Sequence, residues 1–497
     1  MTAKLIRDLG ASAGVALPEV QVVGDDPVLP SVFPLGTMAA ASAGALTAAV
    51  AAYAAQTRGR AEEGTGGREA SRAAHRDPQV TIDVRHAAVA FQSERHFRAE
   101  GKGMDVWAAL SGDYRTSDGW VRLHCNFDHH RDAALRALGL PPGSDGDDVG
   151  RACAGRTAVE IEEAVIGEGG CAAAMRTRAE WLAHPQARAL AGLPLVGVSP
   201  LPDGNGRVSR GGNGGDGNGG DGDARIPAGH VPGGLPEGPA AGPERPLGGI
   251  RVLDLTRVIA GPVAARALAG YGADVLRVGA AHLPEVPGLV VETAFGKRSC
   301  HIDLRSEADT LRELVRRADV VVQAYRPGAL RARGFGPDDL AALRPGIVCV
   351  DISAYGTRGP WASRRGFDSL VQMACGIAHE NGDGRRPSPL PAQALDHGTG
   401  YLAAFGAVAA LLRRAAEGGS WHVEVSLART AAWLDDLGRI DPAGVGRPRV
   451  DDLLATMDSP FGTLTYVTPP GAVDGARPRW TTPPPRQGEH PAAWAPR

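Results

Sequence analysis

Four runs of consecutive apolar, often β-branched residues mark the second half of this chain: IRVLDL (250–255), ADVLRV (273–278), ADVVVQAY (318–325) and GIVCVDISAY (346–355). A strand that buries one face alternates apolar and polar residues, whereas a continuous apolar run must be covered on both faces. Helical stretches separate these runs. Gly261-Pro262 opens one that continues through Leu268, and Leu311 to Arg317 reads as another. Parallel strands need long crossovers, and a helix is the usual one, so the pattern specifies a doubly covered parallel sheet. The expected fold class is α/β, with a Rossmann-like domain over residues 250–497. No GxGxxG follows the first strand, which removes the usual signal for nicotinamide or flavin binding.

Residues 202–249 contain GGNGGDGNGGDG and repeated Pro-Gly steps. Glycine loses the most backbone entropy on ordering, so this segment reads as a flexible linker. It has no following Lys-Ser/Thr and no preceding strand, and so does not read as a phosphate loop. Before it, residues 80–201 read as a smaller α+β domain. GDYRTSDGWVRLHCN (112–126) suggests two short strands around a Ser-Asp-Gly turn, and Ala158 to Leu190 reads as mostly helical. Residues 36–55 form an Ala-rich, weakly charged helix expected to be buried, followed by a loop over 57–78.

An internal repeat organises the chain further. FPLGTMAAASAGALTAAVAAYAAQTRG (33–59) parallels LPAQALDHGTGYLAAFGAVAALLRRAAEGG (390–419). Each copy is followed by a strand-like run, VTIDV (80–84) and HVEVSL (422–427). With Gly44 placed on Gly400, Ala40 falls opposite Asp396. Residues 1–79 therefore read as a partial repeat of the large domain that lacks the carboxylate.

Formal net charge is -3, so no basic face for nucleic acid is expected. Six cysteines form no CxxC or CxxH pair, which supports neither a zinc site nor a dithiol motif. No positively charged start leads into a long apolar run, and the most apolar helical stretch, around residues 400–412, is too short to span a bilayer. The expectation is a reduced, cytoplasmic protein with no metal, membrane or nucleic-acid partner.

Among chemical candidates, Asp396 sits in QALDHGTG, just before a helix expected to begin near Gly400. A carboxylate there either caps backbone N–H groups or performs chemistry, and local spacing leaves both open. His397 follows immediately, but successive helix residues point in different directions, so the two do not read as a dyad. No serine lies in GxSxG. Lys297-Arg298-Ser299 lies beside a turn before HIDL (301–304), and Arg326-Pro327-Gly328 follows a strand directly. Basic residues at such strand ends either meet phosphates or are simply solvated.

From Leu247 to about Leu434 the chain resembles the class III CoA-transferases. This CaiB/BaiF-type group contains formyl-CoA and carnitine CoA-transferases and the α-methylacyl-CoA racemases. The matching stretches are GIRVLDLTRVIAGPVAARALAGYGADVLRV (249–278), GKRSCHIDL (296–304), ADVVVQAYRPGALRARGF (318–335), ISAYGTRGPWASRRGFDSLVQMACGI (352–377) and ALDHGTGYLAAFGAVAALLRRAAEGGSWHVEVSL (394–427). The resemblance implies that Asp396 is a nucleophile, attacking an acyl-CoA thioester to give a mixed anhydride and then an aspartyl-CoA thioester. A small carboxylic acid then accepts the CoA. Orientation and exclusion of water must supply much of the rate, because a carboxylate is a modest nucleophile. Backbone N–H groups near Gly398 and Gly400 are candidates for stabilising the developing charge.

The resemblance also maps CoA contacts onto Arg257, Val258, Ile259 and Ala260, the basic motif onto Lys297 and Arg298, and a turn onto Tyr325, Arg326 and Pro327. Arg277 is placed near a CoA phosphate. Coenzyme A or acyl-CoA enters as substrate, with no tightly bound cofactor, and the assembly implied is a homodimer. Ile259 stands where the formyl-CoA enzyme has glutamine, so that specificity does not transfer, and Gly279 replaces a common acidic residue. Phe367 occupies the racemase histidine position and cannot accept an α-proton, which disfavours racemisation. In the first half, VTIDVRHAAVAFQSERHF (80–97), YRTSDGWVRLH (114–124) and CAAAMRTRAEWLAHPQARA (171–189) resemble the family's small domain, which is missing between Leu434 and Met457. FGTLTYVTPPGAVDGARPRWTTPPPRQGEH (461–490) resembles its final return segment. This altered order keeps a noncatalytic CoA-binding or assembly protein as the alternative reading.

Overall fold

The computed structural model describes residues 1–64, 77–202 and 244–496. The expected parallel sheet is present. Strand Arg251–Leu255 is followed by helix Ala260–Gly270, then by strands Asp274–Gly279 and Lys297–His301, which step outward on one side. The chain then crosses back, and Val320–Gln323, Val348–Ser353 and Trp421–Ser426 add in parallel on the other side of Arg251–Leu255. Every residue of Arg251–Leu255 is buried, as its continuous apolar pattern requires. Gly197–Pro200, from the first half of the chain, closes one edge antiparallel to Trp421–Ser426. The direction of winding changes between Arg251–Leu255 and Val320–Gln323. The loops leaving these neighbouring strands part to opposite faces there, which leaves a crevice at their carboxyl ends.

Several boundaries differ from the sequence reading. Lys297-Arg298-Ser299 begins a strand, Lys297–His301, rather than preceding one, because Gly296 makes the turn with φ +75°. The helix carrying Asp396 spans Ala394–Glu417, starting ahead of Gly400. Strand Ala172–Ala174 interrupts the stretch expected to be mostly helical, and joins the hairpin Gly112–Arg115/Trp120–Leu123. The Ala-rich helix runs Leu35–Gly64, so the loop expected over 57–78 is helical to Gly64, and its remainder, 65–76, lies outside the described residues. Residues 203–243, nearly all of the expected linker, also lie outside them, while Leu247 is already fully buried in the fold.

Leu35–Arg58 is long and apolar enough to cross a membrane, which corrects the choice of 400–412 as the most apolar helical stretch, yet 94% of its most apolar window is buried inside the protein. It packs along helix Ala394–Glu417, its partner in the repeat. Small side chains permit the contact: a Cβ on Gly398 would lie 2.3 Å from Met38 Cε.

The repeat is a real structural unit. Val20–Val23 pairs in parallel with Val80–Asp83, with helix Leu35–Gly64 between them and helix Val84–Ala90 after. Val348–Ser353 pairs in parallel with Trp421–Ser426, with Ala394–Glu417 between and Leu427–Asp436 after. A carboxylate holds the start of each long helix. Asp26 accepts from Gly36 N at 3.0 Å and Thr37 N at 2.6 Å, as Asp368 accepts from Asp396 N at 2.9 Å. The third residue of one helix, Thr37, thus corresponds to the third of the other, Asp396. This corrects the pairing of Ala40 with Asp396. Runs of Ala and Gly slide past one another in alignment, whereas the anchoring carboxylates do not.

Residues 110–174 hold a separate small core around Leu123, Ile161 and Val165. The end of the chain then stitches the halves together. Hairpin Leu454–Ser459/Gly462–Val467 pairs with Arg98–Ala99, and Ala472–Val473 joins Val80–Asp83.

Candidate active site

A cavity of about 350 Å³ opens where the winding reverses. Arg257, Val258, Ile259 and Ala260 line it from the loop after Arg251–Leu255, and Tyr325 and Arg326 from the loop after Val320–Gln323. All six were expected there. Val258 has φ +74°, a left-handed conformation that costs a β-branched residue about 1–3 kcal/mol. Packing behind the loop holds it in place. Gly261 fits only without a side chain, since a Cβ would lie 2.4 Å from Thr256 Cβ, and Thr256 N donates to buried Asp254 at 3.0 Å.

Lys297 braces this loop from behind and does not line the cavity, contrary to expectation. Its Nζ donates to Asp254 Oδ2 at 2.7 Å and to Pro262 O at 2.9 Å, and burial pushes its pKa down to about 8. The shifted turn at Gly296 is what directs it inward. Arg298 is likewise absent from the lining, because its guanidinium donates to Asp274 Oδ1 and Ala493 O, each at 2.9 Å. Arg277 lies just behind the wall, paired with Glu285 beside Arg257 and Val258.

Asp396 is the sole carboxylate among the described residues lining the cavity. It is 7% exposed and sits in the first turn of its helix. Burial first, then the facing carboxylates of Asp368 and Glu94, push its pKa well above the usual carboxylate range. Asp368 is itself pushed up to about 6 by burial, even though it accepts from the Asp396 and Leu395 backbones and from Gln372 Nε2. Burial would also raise Glu94, but His397 holds it below its ordinary value, with Nε2 3.0 Å from Glu94 Oε2. His397 therefore pairs with a residue of the first half, not with Asp396. Asp396 thus gives up its proton less readily than an ordinary carboxyl group.

Four arginines reach the cavity: Arg257, Arg326, Arg364 and Arg365, of which Arg364 is paired with Glu162 and Glu163. Arg257 lies over the Phe127 ring at 5.3 Å, and Arg365 donates to Gly169 O at 2.6 Å. No carboxylate pairs with Arg257, Arg326 or Arg365 among the described residues. Burial and then Arg326 lower the Arg365 pKa. Unneutralised guanidinium groups converging on one cleft suit an anionic ligand.

The roof comes from the first half. Phe127, His129 and His130 line the cavity opposite the sheet. Phe367 stacks on His124 at 3.6 Å with rings 2° from parallel, and His130 meets Phe367 edge-on at 5.8 Å. Burial, the largest cause in each case, pushes both His124 and His130 down to about 3. Sequence reasoning did not single out Glu94, Phe127, His129, His130, Arg365 or Asp368. Of these, Asp368 and Arg365 lie within the 352–377 stretch and Glu94 within the 80–97 stretch that carry the resemblance, whereas Phe127, His129 and His130 lie in no quoted motif. Gly398 and Gly400 lie within the helix, where N–H groups enter the i→i−4 ladder, so they do not serve as oxyanion donors. They allow close packing instead: a Cβ on Gly400 would lie 2.6 Å from Ala260 O.

All six cysteines are free and buried. Among the described residues no group of His, Cys, Asp or Glu is arranged to hold a metal.

Residues 247–438 match the model of CoA-transferase family III. An acetyl-coenzyme A transferase of Hypoxylon pulicicidum is 37% identical over 208 residues, 40% of this chain and 35% of that protein. A probable fatty acyl-CoA transferase of Mycobacterium tuberculosis is 35% identical over 215 residues, 39% of this chain and 54% of its own length. The formyl-CoA:oxalate CoA-transferase of Streptomyces coelicolor is 36% identical over 196 residues, 36% of this chain and 47% of its own. The chain thus spans about a third to a half of the length of these relatives.

Proposed function

We propose, from the premise that residues 247–438 are a CoA-transferase family III segment, that this chain moves CoA from an acyl-CoA to a carboxylic acid through Asp396. The observation that carries the reading is that, among the described residues, Asp396 is the one carboxylate lining a cavity that also presents Arg257, Arg326 and Arg365, none paired with a carboxylate. Arg257 and Arg326 hold the anionic CoA at the strand ends, and Tyr325 and Val258 shape the passage between them. An Asp396 carboxylate oxygen attacks the thioester carbonyl, and CoA thiolate leaves a mixed anhydride. The thiolate then attacks the aspartyl carbonyl, releasing the donor acid and leaving an aspartyl-CoA thioester. The acceptor carboxylate attacks that carbonyl and expels the thiolate again. Attack by the thiolate on the acceptor carbonyl gives the new acyl-CoA and frees Asp396.

Desolvation supports the scheme. A carboxylate stripped of water and set beside Asp368 and Glu94 is a high-energy anion, so forming a neutral acyl or thioester product on it relieves the repulsion. Phe127, Phe367 and His130 exclude water that would hydrolyse the anhydride. A homodimer in the cytoplasm, without metal or nucleic acid, is the setting proposed.

Intact-mass measurement after exposure to acyl-CoA tests the reading. The expected result is an adduct on Asp396, absent from Asp396→Asn, together with loss of transfer in a protein that still binds CoA. Undiminished turnover by folded Asp396→Ala would overturn it.

A further inference from the structure

We infer that residues 1–201 are a second, chemically silent copy that completes the Asp396 site within the same polypeptide, so that no second chain contributes a residue to it. This rests on Asp396 being the nucleophile. Silence follows from three observations. Thr37 stands at the position of Asp396, fixed by Asp26 as Asp396 is fixed by Asp368. The sheet of the first copy comprises, among the described residues, Val20–Val23, Val80–Asp83 and Ala472–Val473. Among the described residues it has no counterparts to Arg251–Leu255 and Val320–Gln323, the strands whose loops present Arg257 and Arg326. It has a helix start without a crevice.

The two copies divide one task. After Leu427–Asp436 the second copy passes to the hairpin Leu454–Val467 and has no α+β unit of its own. After Val84–Ala90 the first copy continues into such a unit, and that unit lays Phe127, His129 and His130 over the second copy's cavity. The first copy also reaches the nucleophile's helix directly, through Glu94 on His397 at 3.0 Å.

The join is built as an interior. Gln186 Nε2 donates to Tyr355 O and Arg358 O at 2.7 Å each, and its Oε1 accepts from Trp361 N at 2.7 Å. Arg364 pairs with Glu162 and Glu163 across the same seam, and Thr47 Oγ1 meets Tyr271 OH at 2.8 Å. One hydrophobic core contains Leu46 and Ile82 of the first copy with Val263 and Phe405 of the second. Symmetric pairs ordinarily carry two equivalent sites. Here one partner has kept the packing surface and the roof, and the other has kept the sheet edge and the nucleophile.

The test uses full-length chains with different tags. Asp396→Ala is co-expressed with a roof double variant, Phe127→Ala/His130→Ala, each confirmed as folded by its melting profile. Cis completion predicts that the co-purified mixture is no more active, per chain, than the roof variant alone. Exchange of roofs between chains would restore about a quarter of the wild-type sites by random pairing, and that recovery would overturn the inference. A roof variant with unchanged transfer would overturn it as well. Wild-type chain is assayed alongside, so a failure of the CoA-transfer reading shows separately as inactivity there. Calorimetric titration with a non-hydrolysable acyl-CoA thioether is independent of turnover. One equivalent per chain is expected, in wild type and in Thr37→Asp alike, and two would refute the silent copy.

Discussion

Replacing Asp396 with Asn should stabilise the protein, and the gain should grow with pH. Unfolded, the carboxyl titrates in the ordinary range. Folded, burial and the facing Asp368 and Glu94 raise its pKa, so the native state holds a proton that the unfolded chain has released. Stability is then fully present below the unfolded value and falls as pH rises toward the folded one, at about 1.4 kcal/mol per pH unit for one proton. Asp368, raised from 3.8 to about 6, places the window for the pair from about pH 4 upward. Asn is isosteric and leaves the backbone N–H of residue 396 on Asp368, so no other large effect competes. An unfolding entropy of about 2.1 cal/mol/K per residue over 497 residues gives roughly 1 °C per kcal/mol. The melting temperatures of variant and wild type, followed from pH 4 to 8, should therefore meet near pH 4. Above that they should diverge by about 1–2 °C per pH unit until Asp396 ionises. A pH-independent offset, or a wild type that gains on the variant as pH rises, would refute the placement of Asp396 in a desolvated, anionic setting.

The same carboxylates set the rate profile: kcat/KM should rise along an acid limb displaced above the ordinary carboxylate range, and Asp368→Asn should move that limb toward acid. Arg257→Gln, Arg326→Gln and Arg365→Gln should each weaken CoA binding by roughly 10–100-fold in calorimetry, the loss of one charged hydrogen bond. Lys297→Met should instead lower the melting temperature by stranding Asp254, with CoA affinity in the folded fraction close to wild type. Gly400→Ala should cost about 1–3 kcal/mol in denaturant unfolding because its Cβ meets backbone, and Gly398→Ala less, because the end of Met38 can move.

Which features were legible follows from how each is encoded. The sheet was readable from its apolar runs, and Arg326 from its place just after a strand, because a parallel sheet gathers such residues at one edge. Arg257, Tyr325 and the role of Asp396 came from the family resemblance. Lys297 failed the same rule by one turn. Gly296 bends the chain sooner than the pattern of HIDL suggested, and a strand residue's face decides between a ligand and a buried brace. Glu94 was invisible for another reason. It meets His397 across 303 residues, and nothing local distinguishes a short helix SERH that fills a buried slot from one that is solvated. Phe127, His129 and His130 share that opacity, since they are roof only because a separate core carries them onto the cavity. The repeat lies between these cases. Its existence showed in composition, but its register did not, because Ala and Gly carry no side chain to fix an alignment. Register is held by Asp26 and Asp368, whose bonds to backbone N–H groups depend on folded geometry rather than on spacing. A catalytic position lost from one copy is thus best located by the carboxylate that anchors the helix start, and by that criterion the counterpart of the nucleophile is Thr37.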